Sequence, residues 1–114
     1  MGSSGFEKLV AYQRARELGF AVYAAVATWE SFDRWSTGMQ VVRSVDSIAA
    51  NIAEAVGRRH RLDRRRLYVI ARGSLYETEH WLAVARERGL EVPDLSTQEL
   101  GRTLNGLIDS PVPS

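Results

Sequence analysis

The stretch Met39 to Arg59, MQVVRSVDSIAANIAEAVGRR, constrains the fold of this chain more than any other. It contains no Pro, and its one Gly, Gly57, comes near the end. Val41, Val45, Ile48, Ile52 and Val56 recur at three- and four-residue spacing, which places them on one side of a helix. Arg43, Ser47, Asn51 and Glu54 repeat at the same spacing, so a polar stripe runs beside the apolar one. A helix that is apolar on one side and sticky on the next suits a bundle with more than one packing surface. The expected fold is therefore all-α.

At 114 residues the chain is one domain. A chain of this size buries roughly two-thirds of its unfolded surface, enough for a core without staples. There is no Cys, which excludes disulfides and thiolate metal sites. No apolar run approaches the ~20 residues of a membrane span, and residues 1–5, MGSSG, lack the apolar region of a signal peptide. The expectation is a cytoplasmic protein with a flexible leader or tag remnant at 1–5, a bundle at 6–110 and a tail at 111–114.

Ser4 and Glu7 have the spacing of a capping box, and a first helix is predicted from Phe6 to about Thr28. Ala11, Ala15, Leu18, Val22, Ala25 and Trp29 form its apolar line, with Phe20 and Tyr23 off it. Thr28 to Ser36, TWESFDRWS, reads as an aromatic connection whose Trp29, Phe32 and Trp35 close the end of the bundle. A sharper reading has them stack on bases or enter a partner's groove. Thr37 and Gln40 would cap the central helix, which runs to about Gly57. Asp63 is the predicted N-cap of a third helix, about Arg64 to Arg88, with Leu67, Ile70, Ala71, Ser74, Thr78, Leu82 and Ala85 on one face. Gly73 in mid-helix costs about 1 kcal/mol relative to Ala, and a close helix crossing is its expected compensation. Gly89 ends the helix and Val92-Pro93-Asp94 breaks the chain. Ser96 and Glu99 open a short fourth helix with Leu100, Leu104, Leu107 and Ile108 on its face, weakened by Gly101 and Gly106, and Pro111 and Pro113 end the structure. Four helices with short connections predict an antiparallel up-down-up-down four-helix bundle.

SVDSIAANIAEAVGR, followed by LYVIARGSLYETE, resembles the bacterial four-helix bundle proteins that include those encoded in intervening sequences of large-subunit ribosomal RNA genes. The matching positions are Arg43, Ser47, Ile48, Asn51, Ile52, Ala53 and Glu54, then Ile70, Ala71, Gly73, Ser74, Leu75 and Glu77. Phe6, Leu9, Tyr12, Gln13, Ala15 and Tyr23 are similar to the family's opening, and the likeness extends to about Leu90. Ala55 and Leu62 depart from it, standing where Gly and Ser are usual. The resemblance implies a ring, a homopentamer, and no enzymatic activity. A related branch is the accessory protein of diversity-generating retroelements, for which nucleic acid and a reverse transcriptase are the implied partners.

The polar stripe reads as a network fixing helix register, with Arg43, Ser47, Asn51 and Glu54 facing Ser74, Glu77 or Arg72. Its other reading is a polar pocket at the bundle or ring axis. Glu77 and His80 have the Glu-x-x-His spacing of di-iron bundles, but such sites need two of these motifs and further carboxylates. No metal, cofactor or catalytic residue is therefore expected; neither His60 nor His80 has a nucleophile beside it in the sequence.

The net charge is only +1, yet six arginines crowd into Arg58, Arg59, Arg61, Arg64, Arg65 and Arg66. Arginine suits bidentate phosphate contact and stacking, and in a ring these charges would repeat around one rim. RNA or DNA is the candidate partner for this turn, binding in a salt-dependent, largely sequence-independent way. The plainer reading is solvated end-charge, some of it paired with Glu91, Asp94 or Glu99. Arg86 and Arg88 suit the helix dipole alone. The alternative function is a scaffold that recruits a protein partner through Trp29 and Trp35. No membrane contact is expected.

Overall fold

The computed structural model describes residues 2–109, with side chains from residue 5 onward. The predicted end-breakers Pro111 and Pro113 lie outside the described residues. Four helices carry the fold: α1 (Gly2–Val26), α2 (Met39–Val56), α3 (Arg61–Glu87) and α4 (Gln98–Asp109). No strand occurs among the described residues. They form a rod measuring 47 × 20 × 18 Å. None of these helices is long and apolar enough to cross a membrane.

The helices pack in a closed cycle, α1 on α2, α2 on α3, α3 on α4 and α4 on α1. Every member of the predicted α1 line, Ala11 to Trp29, is buried. Its small residues bring α1 close to α2, so a Cβ on Gly19 would stand 3.4 Å from Asp46 Oδ1. Val41, Val45, Ile48 and Ile52 are buried on α2. Leu100, Leu104, Leu107 and Ile108 are buried on α4. At 12 residues against 27 for α3, α4 covers only part of the rod. The segment after α3 covers more: Leu90 and Val92 pack on the core, and Trp29 Nε1 donates to the Glu91 carbonyl at 2.7 Å.

Several local readings of the sequence are corrected. Helix α1 already includes Ser4, so that residue is not its cap. Most of the supposed connection Thr28–Ser36 is helical. A turn at Ser31–Asp33 runs into a wide π-turn, Arg34–Gly38, and so into α2. Thr37 is consequently no cap; it is buried and accepts a hydrogen bond from Arg88 Nη1 at 2.7 Å, which takes Arg88 beyond a dipole role. Gly38 fits because a Cβ there would meet Val26 Cγ1 at 2.8 Å and the Asp33 carbonyl at 3.2 Å. Of the three aromatics expected to close the end, only Trp29 does so; Phe32 and Trp35 are 83% and 67% exposed. Val56 is exposed, and Ala55 takes its place in the core.

Helix α3 starts earlier than predicted. His60 has extended backbone, φ −90 and ψ 135, and occupies the N-cap position, which leaves Asp63 inside the first turn, where its charge faces the positive end of the helix dipole. Gly89 does end α3, with φ +75. The amides of Gly89 and Leu90 reach back to the carbonyls of Arg86 and Ala85 in a Schellman cap. Ile70 lies exposed rather than in the core, and Leu75 is fully buried instead. No atom lies within 4 Å of a Cβ placed on Gly73, so no close crossing inside the bundle explains that glycine. At α4 the cap shifts by a residue: Ser96 Oγ accepts the Gln98 amide at 3.2 Å, while Glu99 pairs across to Arg14 of α1.

Candidate nucleic-acid interface and the polar seam behind it

Two sets of polar side chains were marked in the sequence, and the fold treats them differently. The first lies along the α2–α3 seam. Ser47 Oγ donates to Ser74 Oγ, and Arg43 pairs with Glu77. Thr78 Oγ1, fully buried, donates to Ser44 Oγ at 2.9 Å, and Ser44 Oγ in turn donates to the Val41 carbonyl at 3.1 Å. Ser44 was not singled out from the sequence, although a hydroxyl between Val41, Val45 and Ile48 on the apolar stripe was a visible signal. Asn51 stays on its own helix and donates to the Ser47 carbonyl at 2.7 Å. Glu54 turns away from the seam to Arg58, 2.5 Å away at i,i+4. Arg72 reaches α4 instead, donating to Asn105 Oδ1 at 2.8 Å.

Ser47–Ser74, Arg43–Glu77 and Thr78–Ser44 join side chains across two helices, as a network that fixes helix register would. Glu77 also accepts the Trp81 indole N–H at 3.1 Å. That bond, helped by Arg43, holds the Glu77 carboxyl below its ordinary value. The unfolded chain thus takes up a proton first as pH falls. The stabilisation is present above the ordinary carboxylate pKa of about 4.3 and is lost as pH drops through the lower folded value. With Arg43 58% and Glu77 38% exposed, the pair contributes under about 1 kcal/mol. The melting temperature of the wild-type protein is expected to fall more steeply below this pH than that of Glu77→Gln; equal slopes would refute the assignment. His80 packs edge-on against Trp81, ring centroids 4.8 Å apart, and no group of three or more His, Asp or Glu gathers among the described residues.

The second set is the arginine turn between α2 and α3. It has a division of labour that spacing alone did not reveal. Arg64 Nη1 donates to the carbonyls of Arg58 and Arg59, at 3.2 and 2.8 Å, holding the turn that follows α2. Arg65 Nε donates to the Ile108 carbonyl at 3.2 Å, tying α3 to the end of α4. Arg58 holds an exposed ion pair with Glu54, and Arg61 is also engaged. Arg59 and Arg66 are exposed and have no hydrogen-bond or ion-pair partner among the described residues. None of Glu91, Asp94 and Glu99, the acids expected to neutralise the turn, does so: Glu99 pairs with Arg14 instead. Two of the six arginines therefore brace the turn, and Arg58 and Arg59 present cations from it.

Tyr68 lies near the same end, buried, with its hydroxyl meeting no partner among the described residues. Burial pushes its phenol up, and Arg64 draws it part of the way back. A braced turn with outward guanidinium groups can grip phosphate oxygens by charge-assisted hydrogen bonds.

A family model described as 23S rRNA-intervening sequence protein matches residues 7–106. No curated protein matches the chain.

Proposed function

Because the chain belongs to the 23S rRNA-intervening sequence protein family, we propose that it is a binding module for RNA or DNA, used in a ribonucleoprotein setting in the cytoplasm, and not an enzyme. In this reading the four helices form an antiparallel up-down-up-down bundle that assembles with itself, as the homopentamer implied by the sequence resemblance. Arg59 leads the phosphate contact, and Arg58 joins it by leaving Glu54, an exposed pair that holds it by no more than about 1 kcal/mol. The observation that carries the proposal is the unneutralised Arg59 on a turn that Arg64 holds in shape. In a ring such turns come round once per subunit, and the summed field attracts a polyanion more strongly than the +1 net charge of one copy.

The test is titration of a fluorescent RNA hairpin and a DNA duplex at several salt concentrations. Arg58→Gln together with Arg59→Gln is expected to weaken binding about tenfold at low salt and to make the log K against log salt slope shallower by about 1–2. Absence of wild-type binding at low salt would end the proposal. Unchanged binding by the double variant would move the contact elsewhere. The second reading, a scaffold that recruits a protein, is favoured by the exposure of Trp35 and Phe32. Trp29 takes no part in it, being buried.

A further inference from the structure

The bundle leaves two apolar faces open, and they do not overlap. One is a groove between α1 and α2. Its floor is small, with Ala15, Gly19, Ala49, Ala50 and Ala53, and its volume is about 530 Å³. Tyr23 stands on its edge and also lines a second hollow of about 450 Å³ with Trp35 and Met39. Phe20 and Tyr23 on its wall are each 67% exposed. The other face is the outward side of α3. Leu62, Arg66, Val69, Gly73 and Tyr76 fall within one stripe at 3.6-residue periodicity. Leu62 and Tyr76 are 73% and 56% exposed.

Gly73 sits at the middle of that stripe. It weakens α3 by about 1 kcal/mol relative to Ala, and nothing in its own bundle lies within 4 Å of the missing Cβ. A helix interior that carries this cost without a neighbour to require it is a helix that another backbone approaches from outside. The charges agree. Asp46 lines the groove and Arg66 stands on the stripe, and neither has an ion-pair partner among the described residues.

We infer that the α3 stripe of one copy seats in the α1–α2 groove of the next, with Gly73 over the small-residue floor and Arg66 directed to Asp46. This rests on the self-association proposed above and specifies its geometry. A helix laid in an apolar groove is a recurrent mode of recognition. Since the two faces differ, the contact is head-to-tail: it closes into a ring when the rotation permits, and each copy uses both faces. In this docking a helix fills the groove, and of the clustered arginines only Arg66 enters it.

The experiment blocks each face in turn, with mass read by light scattering during size exclusion and helicity by circular dichroism. Gly73→Trp fills the stripe and leaves the groove intact. Ala50→Trp fills the groove and leaves the stripe intact. Wild-type protein is expected as a multimer, each variant alone as a helical monomer, and an equimolar mixture of the two as a 1:1 dimer, since one good pair of faces remains. If Ala50→Trp loses its helical signal, Asp46→Arg, at an exposed position, takes its place. A variant that keeps the wild-type mass, or a mixture that stays monomeric, overturns this docking while leaving self-association standing. A monomeric wild type overturns both.

Discussion

Replacing Trp29 by Ala is expected to remove about 3–5 kcal/mol of stability, the largest loss any single truncation should cause here. The indole is 4% exposed, so nearly its whole surface is withdrawn from water. It stands where three parts meet: the end of α1, the π-turn leading into α2, and the segment after α3. A Cβ on Gly38 would lie 3.6 Å from its ring, and its N–H holds the Glu91 carbonyl. Truncation opens a cavity at this junction and frees the segment that covers α1 beyond the reach of α4. For a domain near 100 residues the expected fall in melting temperature is roughly 15–30 °C. Trp29→Phe separates the two contributions. It keeps most of the burial, loses the donor, and should cost about 1 kcal/mol for the bond plus a smaller packing term. Melts must be compared at equal protein concentration, because assembly shifts apparent stability. An Ala variant melting within a few degrees of wild type would show that the junction is not held by this ring.

The second large effect is expected at Leu75→Ala, about 2–5 kcal/mol. Leu75 is fully buried, and its Cδ2 lies 3.7 Å from the position a Cβ would take on Gly101 of α4. Helix α4 has 12 residues and two glycines, too short and too weak to be helical in isolation. It is held by what it leans on, and Leu75 is central to that support. Hydrogen exchange should therefore show a local response besides the global one: α4 amides in Leu75→Ala should lose protection before those of α2. Uniform loss across all helices would mean that α4 does not open separately.

The parts of this fold that were legible in the sequence are those set by periodicity. The line from Ala11 to Trp29 and the α4 leucines were read correctly, because a 3.6-residue repeat points to a side of a helix whatever the neighbours are. The seam Ser47–Ser74 and Arg43–Glu77 was legible for the same reason. The failures have a common cause. Thr37, Asp63 and Ser96 are all residues that favour helix caps, but cap geometry depends on where the helix begins. At Thr37 that boundary was set by tertiary packing: Gly38 had to press against Val26, so the helix began early and widened into a π-turn. Ile70 was misread because it stands only about 40–60° of helical arc from Ser74 and Leu67, at the edge of the stripe, whereas the buried line runs through Leu67, Ala71, Leu75, Thr78 and Leu82. The arginine turn looked uniform in sequence. Only its folded path shows that Arg64 and Arg65 are spoken for by carbonyls.

That path has a consequence for how the turn would meet a ligand. Loops that must become ordered on association give up about 1–2 kcal/mol for each backbone residue immobilised, and weak polyanion contacts rarely exceed that loss. Arg64 fastens the carbonyls of residues 58 and 59 while the protein folds, before any ligand arrives. The backbone part of the penalty would by then have been charged to folding, so a contact at Arg59 would cost little beyond the ordering of its own side chain.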